Sequence, residues 1–430
     1  MIEVILSAEN ERLQKKLCSL RERTVTLDAG LLREVESIID NVRSRGDEAL
    51  VDYAARFDGY QQRVSELRVS VETLENAASQ VDAKFLAAVA EAIRNVRSFH
   101  EHERQQSWQM ETERGVILGQ RILPIECVGL YVPGGSAAYP SSVLMNVIPA
   151  QLAGVNRIVV ATPPRSLQEN PAIAATLLQL GVKEVYALGG AQAIAALAFG
   201  TETVPRVDKI TGPGNRYVAA AKKLVFGTVG IDSIAGPSEV VIIADDTARA
   251  DFLAADMLAQ AEHAEDASAV LITPSDKLAA AVAAEVARQM APLPRRAIIE
   301  ESLNRYGAII VVSDLDTACT IANELAPEHL QIITREDEAV ADRVLHAGAI
   351  FFGSYTPEAV GDYFAGPNHV LPTAGAARFA SALSVYDFVR RTSMLRYSRE
   401  ALQRSAKKIA TLAKAEGLEA HARSAEIRLE

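Results

Sequence analysis

In Leu325-Ala326-Pro327-Glu328-His329-Leu330 a carboxylate and an imidazole stand side by side, directly after a proline and directly before an apolar run. An imidazole near its ordinary pKa can take up a hydroxyl proton, and a carboxylate can activate water. Pro327 cannot continue a helix, and it disfavours the helical state for Ala326. The pair is therefore expected at a helix-to-strand junction near a sheet end, where doubly wound folds hold their ligands. Neighbouring strand residues point to opposite faces, so Glu328 and His329 can serve one site only if the backbone turns there.

Three more histidines, His263, His369 and His421, lie near carboxylates or amides. Gln260 and His263 are spaced i, i+3 on a helix that starts near Asp251, so they share a face. Asp362 and His369 fall in a glycine-bearing stretch, and His421 follows Glu416 in the tail. Such N and O donors suit zinc or another borderline divalent ion. Neither H-E-x-x-H nor C-x-x-C occurs, so spacing alone leaves a structural role open. His100 and His102 read as a solvated helix end, and His346 as structural. Glycine- and proline-bearing loops at 132–136, 211–215 and 235–239 could bring backbone N–H groups close to a phosphate. No G-x-G-x-x-G follows a strand and no G-x-x-x-x-G-K-[ST] occurs. Any one of these loops reads equally well as a tight turn; three on one strand-end rim favour a ligand.

The elements that must position these groups come in three textures. Residues 1 to about 110 read as helical, with apolar periodicity over 31–39, 49–57 and 85–99. From residue 128 short apolar runs alternate with helical segments. Runs at 128–132, 157–161, 184–188 and 207–210 form one series. Runs at 239–244, 269–273, 308–312, 330–334 and 349–352 form a second. This pattern predicts an α/β fold of two doubly wound, incomplete Rossmann-like parallel-sheet domains, divided near 230–236. After Ser384 the chain reads as helical again.

A length of 430 residues implies two or three domains. A net charge of -11 without a long basic run argues against nucleic acid and anionic membranes. Residues 127–156 carry no charge, but their prolines and serines do not suit lipid. Three scattered cysteines fit a reducing compartment, and Glu3, Glu9 and Glu11 do not fit a signal peptide. The expectation is a soluble cytoplasmic protein.

Seven segments, in order, carry a resemblance over nearly the whole chain from about residue 25. They are Val128-Gly129-Leu130-Tyr131-Val132-Pro133-Gly134-Gly135, Gly189-Gly190-Ala191-Gln192-Ala193-Ile194, Gly212-Pro213-Gly214-Asn215, Ala235-Gly236-Pro237-Ser238-Glu239, Gln260-Ala261-Glu262-His263, Pro327-Glu328-His329-Leu330 and the run from Gly366 to Thr373. The chain resembles the histidinol dehydrogenases. That resemblance implies NAD, one zinc ion per subunit, and oxidation of L-histidinol to L-histidine through L-histidinal. It implies Gln260, His263, Asp362 and His421 as zinc ligands, with His421 and Glu416 supplied by the partner of an intertwined homodimer. It implies NAD contacts at Tyr131, Gln192 and Asn215. It implies substrate contacts at Ser238, His329, His369 and Glu416 and at the zinc ligands, with Glu328 and His329 catalytic. The domains it implies are an arm over 1–25, a metal and substrate domain from 26–127 with 237–384, an NAD domain over 128–236, and a helical tail over 385–430.

The residues support a division of labour. His329 would take the alcohol proton. None of Cys18, Cys127 and Cys319 looks like an activated thiolate, so the aldehyde step would use water, with Glu328 as its base. The rival readings are a related NAD- and zinc-dependent dehydrogenase of another small polar alcohol, such as a sulfonated diol, and a zinc hydrolase.

Overall fold

A computed structural model describes residues 2–23, 27–134 and 139–430. The chain begins with β1 (Val4–Leu6). Five α-helices follow among the described residues, and then a hairpin of β2 (Trp108–Glu113) and β3 (Val116–Pro124). The first parallel sheet consists of β4 (Cys127–Tyr131), β5 (Arg157–Thr162), β6 (Val185–Ala187), β7 (Lys209–Thr211) and β8 (Gly230–Ile231), in the order β6-β5-β4-β7-β8. The second contains β9 (Glu239–Ala244), β10 (Ser268–Thr273), β11 (Ala308–Val311), β12 (His329–Ile333) and β13 (Ala349–Phe352), in the order β1-β11-β10-β9-β12-β13. A last strand, β14 (Val389–Tyr397), pairs antiparallel with β3 and leads into the helices Arg399–Ala415 and Glu419–Glu426.

Both parallel sheets form because their strands are covered by helices on each face. Every residue of β4, β9, β10 and β12 is buried, which the near-continuous apolar runs require. The uncharged stretch 127–156 resolves into β4, a loop and the helix Pro140–Ala153, and no described helix is long and apolar enough to cross a membrane.

Four expectations need correction. Residues 4–6 are not helical; they form the edge strand β1, paired with β11. Residues 108–124 and 389–397 make a three-stranded antiparallel sheet where the tail was expected to be helical. The Ala29–Arg45 and Asp47–Phe57 helices pack with Tyr131, Val159, Ala161 and Tyr186, while Val71–Ala78 and Ala83–Glu101 contribute Leu74, Val89 and Val96 against Val128, Leu130 and Val160. These helices thus cover the first sheet, rather than grouping with residues 237–384. Finally, His100 is no solvated helix end: it is fully buried, and its Nδ1 lies 2.7 Å from Glu103.

The loop after β7 rests on a buried ion pair. Lys222, 2% exposed, pairs with Asp232 and donates to the Gly212 carbonyl at 3.1 Å, while Asp232 accepts from the Gly212 amide at 2.8 Å. Removing one partner of such a pair strands the other charge in the interior. Lys222→Met is therefore expected to cost about 3–5 kcal/mol, read as a fall in the urea midpoint of unfolding. An unchanged midpoint would show the pair to be dispensable.

Candidate active site

Glu328 and His329 stand where the chain leaves the helix Leu315–Leu325 for β12. Ala326 caps that helix in the left-handed region (φ 50°), an uncommon conformation for a side chain with Cβ. Pro327 follows, and the chain bends at Glu328 before the strand begins at His329. This turn is the one the pair required. It brings Glu328 Oε2 to 3.7 Å from His329 Nδ1. The pair lies at the amino end of β12, where His329 pairs with Val240 and Ala349. The expected helix-to-strand junction near a sheet end is where the structure places the pair.

His329 and Gln331 project to the face covered by the helix Ala250–Ala261, since alternate residues Leu330 and Ile332 pack on the other face. That helix ends near His329, so Gln260 and His263 reach the site from its last turn. Gln260 is fully buried. Its amide nitrogen, in the orientation that pairs donor with acceptor, lies 2.8 and 2.9 Å from the two Glu358 oxygens. Glu358 and Asp362 come from the short helix Glu358–Tyr363. Ligand atoms of His263, Glu358 and Asp362 all lie within 4.8 Å of one another. His329 Nδ1 is 3.8 Å from Glu358 Oε1, and its Nε2 is 4.0 Å from Asp362 Oδ1.

Electrostatics mark this cluster. Burial raises Glu358 and Glu328 well above the usual carboxylate range and pushes Asp362 up to about 6. Burial also lowers His329 to about 3 and His369 to about 4. Burial is the leading cause in each case, and neighbouring carboxylates add to the rise of Glu328 and Glu358. Glu239 bridges part of the charge: it pairs with Arg23 at 3.0 Å and accepts from the Glu328 amide at 3.3 Å. Glu328 Oε2 in turn accepts from the Glu239 amide at 3.0 Å, while its Oε1 makes none of the hydrogen bonds found among the described residues.

His329 Nδ1 lies 3.2 Å from the Glu239 carbonyl, which can only accept. Nδ1 therefore carries the proton and Nε2 the lone pair. Among the described residues Nε2 has no hydrogen-bond partner and is buried, as is Nε2 of His369. Both imidazoles and Asp362 line a cavity of about 130 Å³. A larger cavity of about 380 Å³ opens on the other sheet face beside Arg21 and Arg378 and contains neither imidazole. Ser238 immediately precedes Glu239, and its carbonyl accepts from Ser268 at 3.0 Å.

The remaining candidates fall at the carboxyl edge of the first sheet. Tyr131 ends β4, is buried, and accepts from the Gly190 amide at 3.1 Å. Gln192 lies in the first turn of the helix that Gly190 opens. Gly212 has φ +113°, and a Cβ there would stand 2.1 Å from the Tyr131 carbonyl, so only glycine lets these two loops touch. Asn215 caps the next helix, accepting from Tyr217 and Val218 at 3.0 and 3.2 Å. The structure thus joins Tyr131 to the loops that carry Gln192 and Asn215. The sequence segment 132–136 reaches beyond the described residues at Gly135 and Ser136. The two lobes meet where Asn368, beside His369, donates to Met145 of the helix Pro140–Ala153 at 2.7 Å.

Two predicted residues are not brought in by their own chain. Glu416 and His421 are exposed on the terminal helices, outside the His263, Glu358 and Asp362 cluster. One residue was missed: Glu358, four positions before Asp362 on the same helix. The three cysteines are free, and burial pushes Cys127 up to about 11, which leaves it a poor nucleophile.

A cavity of about 130 Å³ faced by an unprotonated imidazole nitrogen, with a second α/β lobe beside it, fits an oxidoreductase. The comparisons make the assignment specific. The histidinol dehydrogenase family model matches residues 21–429. The histidinol dehydrogenase of Geobacillus kaustophilus is 57% identical over 93% of this chain and 94% of its own length. That of Halalkalibacterium halodurans is 54% identical over 92% and 93%. The crystal structure of histidinol dehydrogenase from Elizabethkingia anophelis superposes with a TM-score of 0.92 at 36% identity, covering 100% of this chain and 98% of that one. The chain belongs to the histidinol dehydrogenase family.

Proposed function

We propose that this chain oxidises L-histidinol to L-histidine through L-histidinal, in two NAD-linked steps of histidine biosynthesis in the cytoplasm. The observation that carries the reading is the convergence of Gln260, His263 and Asp362 around Glu358 beside His329, with His329 and Asp362 lining one cavity. The donor set fits zinc: one amide oxygen, one imidazole and one carboxylate, among acidic groups whose crowded charge a divalent ion would relieve. His421 of the partner subunit would complete it in an intertwined homodimer. When bound, zinc would orient the amine and imidazole of the substrate. NAD, against Tyr131, Gln192 and Asn215, would supply the hydride acceptor.

The chain's own groups then divide the proton work. His329 Nε2 takes the alcohol proton, with Nδ1–H held by the Glu239 carbonyl so that the ring cannot turn. In the second step Glu328 withdraws a proton from the water that adds to the aldehyde, using its uncommitted Oε1. Burial raises the basicity that this task needs. Ser238, His369 and the partner subunit's Glu416 would hold the substrate's polar ends.

The test is NAD reduction, followed spectrophotometrically. Histidinol should support it in the purified protein, dialysis against a strong chelator should abolish it, and added zinc should restore it. Turnover of other short polar alcohols, but not of histidinol, would favour a related dehydrogenase with a different substrate. Hydrolysis without NAD reduction by any alcohol would leave the hydrolase reading standing.

A further inference from the structure

We infer that Glu358 is a positioning residue, which locks the Gln260 amide so that its oxygen faces the metal and its nitrogen faces the protein. The inference rests on the zinc reading above. An amide can ligate zinc through oxygen only, because its nitrogen lone pair is delocalised. The two ends of a glutamine amide have nearly the same shape, so packing alone does not choose between them. Glu358 does choose. Ionised, as a neighbouring divalent ion would hold it, the carboxylate accepts and cannot donate, so an amide oxygen turned toward it would be repelled. With the amide assigned so that donor meets acceptor, its nitrogen stands 2.8 and 2.9 Å from the two carboxylate oxygens. The amide oxygen, on the other branch of the same planar group, is left free to ligate.

Placement supports this role. Glu358 is 3% exposed, and Pro357 caps its helix in an extended conformation (φ -65°, ψ 157°), which fixes where the carboxylate begins. Its oxygens lie among the ligand atoms of His263 and Asp362, and one is 3.8 Å from His329 Nδ1. Glu358 is therefore the contact shared by the amide ligand and the catalytic imidazole. A direct ligand would instead turn its carboxylate to the ion and release the amide. Holding such a carboxylate among Asp362, Glu328 and Asp256 has an electrostatic cost, so a purely structural site would not need its charge.

The test is a double-substitution cycle on zinc affinity, measured by competition of the metal-free protein with a chromophoric chelator. Glu358→Gln is expected to weaken zinc binding about 10–100-fold, the range found when a partner of a ligand is removed. Gln260→Ala should also weaken it, and the double variant should bind no more weakly than Gln260→Ala, because Glu358 acts through Gln260. The urea midpoint of metal-free Glu358→Gln should be equal to or above wild type, since one crowded carboxylate is gone; this separates the loss from misfolding. Full zinc affinity in Glu358→Gln, or losses that simply add in the double variant, would overturn the inference while leaving the zinc reading intact. Failure of the wild-type protein to compete for zinc would overturn both.

Discussion

Replacing Glu328 by glutamine is expected to slow the oxidation of histidinal by about 10²–10⁴-fold, the usual contribution of a positioned general base. Oxidation of histidinol to the aldehyde should fall by less than about tenfold, because another base serves that step. The asymmetry follows from geometry. His329 keeps its tautomer through the Glu239 carbonyl, an interaction that Glu328→Gln leaves in place. Glutamine also keeps the volume of the side chain and can still accept from the Glu239 amide, which now holds Oε2 at 3.0 Å. What is lost is the capacity to take a proton. The half-reactions can be measured separately by supplying histidinol under single-turnover conditions and histidinal at steady state. Equal losses in both would refute the division of labour and make Glu328 a support for His329.

The parts of this molecule that could be read from sequence are those whose burial leaves a periodic trace. The strands of both parallel sheets are covered on two faces, so β9 and β10 read as unbroken apolar runs. The antiparallel sheet leaves no such trace: every residue of β2 is exposed, and β14 is exposed after its first residue. Its central pairing joins Val389–Tyr397 to Val116–Pro124 across most of the chain, a partnership no local pattern encodes. β1 is three residues long, too short for any period to show. The amphipathic stripes of residues 29–101 announced helices but not the sheet they would cover, since an apolar stripe fits either lobe.

The site shows the same split. Gln260 with His263, and Glu328 with His329, could be paired because they are neighbours along one element. That these pairs meet each other depends on tertiary geometry: the helix Ala250–Ala261 ends where β12 begins. Glu358 went unremarked although a signal was present. Pro357 marks a helix start, and Glu358 and Asp362, spaced i, i+4, share one face of that helix. Two carboxylates on the face of a helix directed at histidines are a ligand pattern, visible once helix and histidines are known to be close.

Glu416 and His421 lie on an arm with the look of a surface made to be covered. Leu395 and Leu412 are 71% and 69% exposed, and Trp108 and Met110 on β2, the far strand of the same sheet, are 50% and 53% exposed. Large apolar residues gathered on one arm in this way mark an interaction surface. If that surface is closed by a second copy whose tail enters the site, two inactive variants should rescue each other. His263→Asn breaks the ligand set of the body, and His421→Asn breaks that of the tail; each homodimer is expected to have almost no activity. A hybrid dimer, co-expressed with two different affinity tags and purified through both, contains one site with both defects and one with neither. By symmetry it should regain about half of the wild-type activity per dimer. A ligand set drawn wholly from one chain predicts a different outcome: every site in the hybrid would carry one defect, and mixing would restore nothing. The size of the difference, from background to half, makes the origin of the fourth ligand decidable without any metal measurement.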